Sequence, residues 1–303
     1  MKAHVTSETE IAYAKLNLAL HVRGRIAGGY HALETVFAFC DDGDRLSGVD
    51  ARSLSLTVTG PFKDALEGED EDNLVLRAGR AVADAFAPER GASLRLDKRL
   101  PVASGIGGGS ADAAAAIRLL NRLWRLERPL SDFEAIAGEL GADVPACLFS
   151  CSAFGTGKGD DLRFVSIDGL EGRHLLLVNP GMAVSTADIF RRWHGRDGGA
   201  LAGLKLSSLQ KSARNDLEKA AVALVPEIGE LLSALGRHSD FARMSGSGAT
   251  CFALFDSADA AATARDDLRA QFGDHWPGFW TMTAQPRIEA CDDAASAPER
   301  ATS

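Results

Sequence analysis

From Pro101 to Ser110 the chain reads Pro101-Val102-Ala103-Ser104-Gly105-Ile106-Gly107-Gly108-Gly109-Ser110, with four glycines in five consecutive positions. Glycine loses more backbone freedom on folding than any other residue and offers no side chain to pack, so such a run destabilises a fold unless the bare backbone is needed. It lies between an alternating stretch, Ser93 to Leu96, and a segment, Ser110 to Leu126, where Ala113, Ile117, Leu120 and Trp124 recur at helical spacing. A strand, a glycine loop and a helix in that order aim backbone N–H groups and the positive end of a helix dipole at one spot, which suits a phosphate. A tight turn with Ser110 as helix cap accounts for the same residues without a ligand. The loop is not a Walker sequence, because no Gly-Lys-Ser/Thr follows, and Gly105, Gly107 and Gly108 fit a dinucleotide fingerprint only in part.

The rest of the chain mixes the two periods. Leu16, Leu18 and Leu20 alternate within Ile11 to Val22, and Leu54, Leu56 and Val58 within a second strand ended by Gly60-Pro61. Leu74, Ala78, Ala81, Val82 and Ala85 predict a helix over Asn73 to Phe86, and Ser131 to Leu140 carries a further helix start. Leu175 to Val178 reads as a central strand before the turn Asn179-Pro180-Gly181, helices are expected near Asp216 to Leu224 and from Pro226 to Leu235, and a strand over Cys251 to Phe255. Without a strict βαβ rhythm this is an α+β chain, and 303 residues suffice for two packed lobes. The turn at Asn179 marks the expected change of lobe. Gly195 to Gly203 is expected as a surface loop, and the polar, alanine-rich tail as disordered.

A formal net charge of -9 argues against nucleic acid and anionic membrane as partners, so an anionic ligand needs a local positive site. The polar stretch Met1 to Glu10 has no apolar core of a signal peptide, no window is long and apolar enough to span a bilayer, and the five cysteines show no disulfide spacing; a reducing cytoplasm is the expectation.

Lys15 lies inside an apolar strand, Ala12-Tyr13-Ala14-Lys15-Leu16-Asn17-Leu18, where a buried ammonium needs a carboxylate or a ligand anion; a lysine on the exposed face of an edge strand is the alternative. Asp143, in Leu140-Gly141-Ala142-Asp143-Val144-Pro145, is either a helix cap or an aspartate able to take the proton of an attacking hydroxyl. Ser245-Gly246-Ser247-Gly248-Ala249 forms a second glycine turn, and Gly28-Gly29 a third that presents Tyr30 and His31. No His/Cys/Asp cluster has zinc spacing.

Together, Ala14 to Leu18, Gly28 to His31, Pro101 to Ala111, Leu140 to Pro145 and Ser245 to Ala249 resemble the GHMP kinase superfamily in order and spacing, over nearly everything from about Ile11 to Phe255 and somewhat beyond. The Lys-Leu-Asn-Leu, Gly-Tyr-His and Gly-Ala-Asp-Val-Pro segments narrow the resemblance to a member of the non-mevalonate isoprenoid route whose acceptor carries a cytidine diphosphate group. It implies a two-lobed fold with the active site in the cleft: an ATP-binding and catalytic domain over 1–179, a smaller ferredoxin-like domain over 180–290, and a tail over 291–303. It implies ATP and Mg²⁺, with Lys15 and Asp143 as the catalytic pair, Pro101 to Ala111 as the ATP loop and Ser110 as a candidate magnesium contact. Tyr30 and Phe190 would stack the cytosine, with His31, Asn17 and Thr186 as polar contacts. A soluble cytoplasmic enzyme, monomer or homodimer, is the matching expectation. The chain departs from many relatives at Ala103-Ser104-Gly105-Ile106 and Ala111-Asp112, where they carry more glycine and Ser-Ser or Ser-Asn. The competing expectations are a homoserine or mevalonate kinase of the same superfamily, against which Tyr30, His31 and Phe190 argue, and a silent nucleotide-binding regulator, against which the retained Lys15 and Asp143 argue.

Overall fold

The computed structural model describes residues 7–68 and 72–288. The expected disorder of 291–303, and part of the acidic loop between Gly68 and Asp72, therefore lie outside the described residues.

The chain opens with β1 (Ser7–Arg25) and β2 (His31–Ala51), then β3 (Ser55–Thr59), α1 (Leu74–Phe86), β4 (Gly91–Asp97), α2 (Gly108–Leu123), α3 (Glu134–Leu140), α4 (Val144–Phe149), β5 (Ala153–Thr156) and β6 (Asp161–Phe164). These strands form one sheet in the order β3-β4-β2-β5-β6, with β1 antiparallel along the other edge of β2. Asn73 starts α1 by accepting the Val75 N–H, and the helix buries Val75, Ala78 and Val82. Helix α2 is buried nearly all round: Ala111 and Ala113 to Ile117 are all within 1% of full burial, so small side chains let it sit close against the sheet. The single apolar face expected for it understates that burial.

The second sheet contains β7 (His174–Asn179), β8 (Ala242–Met244), β9 (Cys251–Phe255) and β10 (Trp280–Ala284) in the order β10-β7-β9-β8, all neighbours antiparallel. Between β7 and β8 run α5 (Thr186–Arg192), α6 (Leu206–Ser212), α7 (Glu218–Leu224) and α8 (Pro226–Leu235), and α9 (Ala258–Phe272) links β9 to β10. Strand, helix, strand, strand, helix, strand with that spatial order is the ferredoxin-like arrangement. It requires β7 as its first strand, so the sheets divide between Phe164 and His174, earlier than the turn at Asn179. The chain from 193 to 203 is an irregular segment, as expected for a surface loop.

Leu16, Leu18, Val36, Leu100 and Ile106 from the first lobe pack with Leu175, Leu177, Phe252 and Leu254 from the second. This shared core sets the two sheets against each other and supports the cleft from below. Burying each such side chain contributes about 1.5–3 kcal/mol. Among the described cysteines, Cys40, Cys147 and Cys251 are buried free thiols, while Cys151 is disulfide-bonded, a pairing that spacing did not signal.

Candidate active site

Lys15 sits in β1 between two register shifts against β2, one at Tyr13/Lys15 and one at Asn17/Ala19. Irregularities of this kind re-aim side chains. Its backbone N–H donates to Ile106 O at 3.0 Å, which fastens the glycine loop directly to the strand. The side chain is 3% exposed, and its ammonium lies 3.2 Å from Asp143 Oδ1, 3.2 Å from Asn17 Oδ1 and 4.6 Å from the centre of the Phe37 ring. The exposed-edge alternative is thereby overturned: Lys15 is a buried cation with a carboxylate partner.

Asp143 stands at the start of α4, between the glycine at 141 and Pro145, and makes no side-chain capping bond to its own helix. Its side chain is 43% exposed, so the carboxylate keeps lone pairs open to a ligand while Lys15 holds one oxygen. The two groups come from positions 128 residues apart in sequence (143 − 15), and the chain brings them within ion-pair distance.

The loop lies against Lys15. Gly107 begins α2 with φ of +66°, and a Cβ there would come 2.9 Å from Lys15 Cε, so both conformation and space require glycine. Gly105, at φ of +78°, would put a Cβ 2.3 Å from Ser245 O. That close approach is where the second glycine turn enters: Ser245 Oγ donates to Gly105 O at 2.9 Å, the Asn17 N–H donates to Ser245 Oγ at 3.2 Å, and the Thr250 N–H donates to Ser104 O at 3.1 Å. The turn that spacing alone left as a β-turn thus clamps the phosphate-type loop from the second lobe.

Asn17 is buried, and its Nδ2 donates to Thr35 Oγ1 at 2.8 Å, which in turn donates to Ala19 O at 2.8 Å. Both ends of the Asn17 amide are therefore engaged, one on the lysine and one on Thr35. Thr186 Oγ1 lies 2.8 Å from Ser247 Oγ and so links α5 to the same turn. Ser245 and Ser247 lie in the glycine turn that the sequence singled out without giving either a role, and Thr35, which it did not single out, joins the same network. The recurrence of Ser in a glycine turn was the available signal.

At the far end, His31 faces Phe190 with ring centres 5.0 Å apart and meets the edge of Trp193 at 5.5 Å. Its Nε2 is buried and has no hydrogen-bond partner among the described residues, and burial followed by nearby Arg25 lowers its pKa, which favours the neutral ring. Tyr30 is 53% exposed, with Lys158 Nζ 4.2 Å above its ring. The aromatic contact on Phe190 is thus made by His31, and Tyr30 stands open at the rim. Trp193 is a further aromatic wall that went unrecognised in the sequence. A separate groove of about 560 Å³ beside Tyr13, Arg45, Arg95 and Asp97 contains neither Lys15 nor Asp143 and brings together no comparable pair.

Among the described residues no three His, Cys, Asp or Glu side chains are grouped to hold a metal ion. Ser110 lies in the first turn of α2 and Asp143 beside Lys15, an arrangement that suits an ion carried mainly by a ligand's phosphates and not one caged by protein. No described helix is long and apolar enough to cross a membrane.

Comparison with known proteins agrees with this geometry. Residues 73–151 match the GHMP kinases N terminal domain, and residues 200–274 match the GHMP kinases C terminal family. The chain is similar to a 4-diphosphocytidyl-2-C-methyl-D-erythritol kinase of Rhizorhabdus wittichii, 47% identical over 92% of this chain and 94% of the relative. Its fold is similar to a crystal structure of 4-(cytidine 5'-diphospho)-2C-methyl-D-erythritol kinase, with a TM-score of 0.74 and 32% identity over 92% of this chain and 99% of the other. A homoserine kinase from Cytophaga hutchinsonii shares the fold at a TM-score of 0.72 but only 19% identity, covering 95% of this chain and 99% of that one.

Proposed function

Since the chain belongs to the GHMP kinases, and within them to the family of the 4-diphosphocytidyl-2-C-methyl-D-erythritol kinases, we propose that it moves the terminal phosphoryl group of ATP to the 2-hydroxyl of 4-diphosphocytidyl-2-C-methyl-D-erythritol. The enzyme is a small-molecule kinase of isoprenoid biosynthesis. The observation that carries the chemistry is the Lys15–Asp143 pair at 3.2 Å, seated against the glycine loop.

In this reading the amides of Pro101 to Ala111 hold the ATP phosphates at the start of α2. Asp143 accepts the proton of the 2-hydroxyl as that oxygen forms its bond to the γ-phosphorus and the bond to the ADP oxygen breaks. Lys15 orients Asp143 and offsets negative charge on the transferring group. Asn17 and Thr35 keep the lysine aimed, and this engagement of Asn17 makes it an orienting group first and a substrate contact second. Magnesium, carried mainly by the phosphates with Ser110 as the candidate protein contact, would neutralise phosphate charge. Neutral His31 offers a hydrogen-bonding nitrogen to the cytosine, Phe190 and Tyr30 offer ring faces, and Thr186 a hydroxyl. That cytidine end separates this acceptor from homoserine or mevalonate.

The lobes divide between β6 and β7 in this scheme, and the cleft between them holds the reacting groups. The enzyme acts as a monomer or a homodimer in this reading. Three buried free thiols suit a reducing cytoplasm, whereas the disulfide at Cys151 does not. The acidic net charge opposes nucleic-acid partners.

The test is ADP release from ATP and Mg²⁺ with the cytidyl acceptor, homoserine or mevalonate, for the unaltered protein and Asp143→Ala. Turnover with the cytidyl acceptor alone, lost in Asp143→Ala while nucleotide still binds, is the expected result. Turnover with homoserine or mevalonate instead would replace the substrate, and ATP binding without any turnover would point to a silent regulator.

A further inference from the structure

Both ends of the glycine loop are fastened by one buried ionic cluster outside the residues named so far. Lys98 follows β4 and is 1% exposed, and its ammonium lies 2.6 Å from Asp44 Oδ2 and 2.6 Å from Asp112 Oδ2. Asp44, in β2, is fully buried, and its Oδ1 accepts the backbone N–H groups of Arg99 and Leu100, the residues that lead into the loop. Asp112 lies early in α2, just past the loop, and a Cβ on Gly108 would come 3.2 Å from Lys98 Nζ, so the helix start and the ammonium approach closely.

Dehydrating one cation and two carboxylates is unfavourable, and an apolar filling of the same volume would often be more stabilising. The arrangement therefore calls for a reason other than stability. Burial opposes the charge on Lys98, but Asp112 and Asp44 outweigh it and raise the pKa of the lysine, so the ammonium stays charged and the cluster stays rigid.

We propose that Asp44 and Lys98 are positioning residues for the phosphate-binding loop, setting the loop's entry at Leu100 relative to its exit at Gly108 so that its N–H groups converge on the nucleotide. The inference rests on reading Pro101 to Ala111 as the ATP site. Asp44 matters more than Asp112, because Asp44 Oδ1 accepts the two backbone N–H groups at the loop's entry while Oδ2 holds Lys98, whereas Asp112 Oδ1 has no assigned partner among the described residues.

The experiment compares Asp44→Asn, Lys98→Met and Asp112→Asn by calorimetric titration with a non-hydrolysable ATP analogue and by steady-state kinetics. Asp44→Asn is expected to raise Kd and KM for ATP about tenfold or more, with KM for the acceptor unchanged and kcat at saturating ATP within about threefold, and Asp112→Asn to raise them less than about threefold. If Lys98→Met does not fold, the two isosteric variants still decide the matter. An Asp44→Asn protein that melts earlier yet keeps its KM for ATP overturns the proposal, as does a joint rise in KM for both substrates. Protection of the amides of residues 101–109 from hydrogen exchange by ATP in the unaltered protein checks the underlying reading. Without that protection the ATP-site reading fails; with it, and with unchanged affinity in Asp44→Asn, only the positioning role fails.

Discussion

Two lysine–aspartate arrangements stand on either side of the same glycine loop, and they are built to opposite specifications. At Lys98 the carboxylates are sealed from solvent, each 2.6 Å from the ammonium. At Lys15 the lysine is equally buried, but its Asp143 partner is 43% exposed and sits at 3.2 Å. The sealed cluster has little room to change partners. The open pair keeps a carboxylate that a substrate hydroxyl can reach. Sealing alters the acid as well: burial pushes the Asp112 carboxyl up to about 8, against the opposing effect of Lys98. On the proposed roles, the same residue types would serve as a brace or as a reacting pair according to how much water reaches the acid.

The most severe challenge to this contrast is Asp143→Asn, which should lower kcat by about 10²–10⁴ while shifting the denaturation midpoint less than Lys98→Met does, since Asn17 Oδ1 still accepts from the Lys15 ammonium. If it instead destabilised the protein as Lys98→Met does, the distinction would collapse. Lys98→Met strands the buried Asp44 carboxylate beside Asp112 and should cost about 3–5 kcal/mol in urea unfolding. A loss below about 1 kcal/mol would place it among exposed ion pairs, where such values are typical. The cytidine end sharpens the same division: Phe190→Ala removes a ring contact worth about 0.5–1.5 kcal/mol and should raise KM for the acceptor severalfold, with KM for ATP and thermal stability held.

The smallest expected effect is a pH effect. His21 is buried, with Nδ1 donating to Gly199 O at 3.1 Å and Nε2 accepting the Arg214 N–H at 3.3 Å, so the neutral ring is the one that fits. Burial, with Arg214 beside it, lowers its pKa below the ordinary 6.5. The unfolded chain then binds the extra proton first, so the contribution of His21 to stability is complete above pH 6.5 and is lost as pH falls below it. His21→Gln should flatten that acid-side decline, as read from melting temperatures between about pH 7 and pH 5. An unchanged slope would assign the decline to other groups. His21 and Arg214 also give the loop after Trp193 a tether, since both bond to Gly199 O.

Much of this was legible from local pattern. The β1 and β4 strands, the Asn73-capped helix, the alanine-rich α2 and the glycine loop follow from periodicity and capping, which depend on neighbours in sequence. Strand β2 was not: its 21 residues include Asp41-Asp42-Gly43-Asp44, which reads as a turn. It is extended because β1, β4 and β5 pair with it and because Lys98 gives Asp44 a partner. The change of lobe was expected at Asn179, whereas β7, which ends there, belongs to the second sheet because it pairs with β9 and β10, so the sheets divide before it.

By itself the sequence determined which side chains needed partners: a lysine in an apolar strand, a glycine run before a helix, an aspartate beside small residues. Pairing geometry decided which partners they found, because ion pairs, ring contacts and loop clamps join residues far apart in the chain, and local propensity carries no information about that distance. For Lys15 the sequence left open a carboxylate, a ligand anion or an exposed edge. Only the packed sheets and the Ser245 turn made that carboxylate Asp143 and left it facing the cleft.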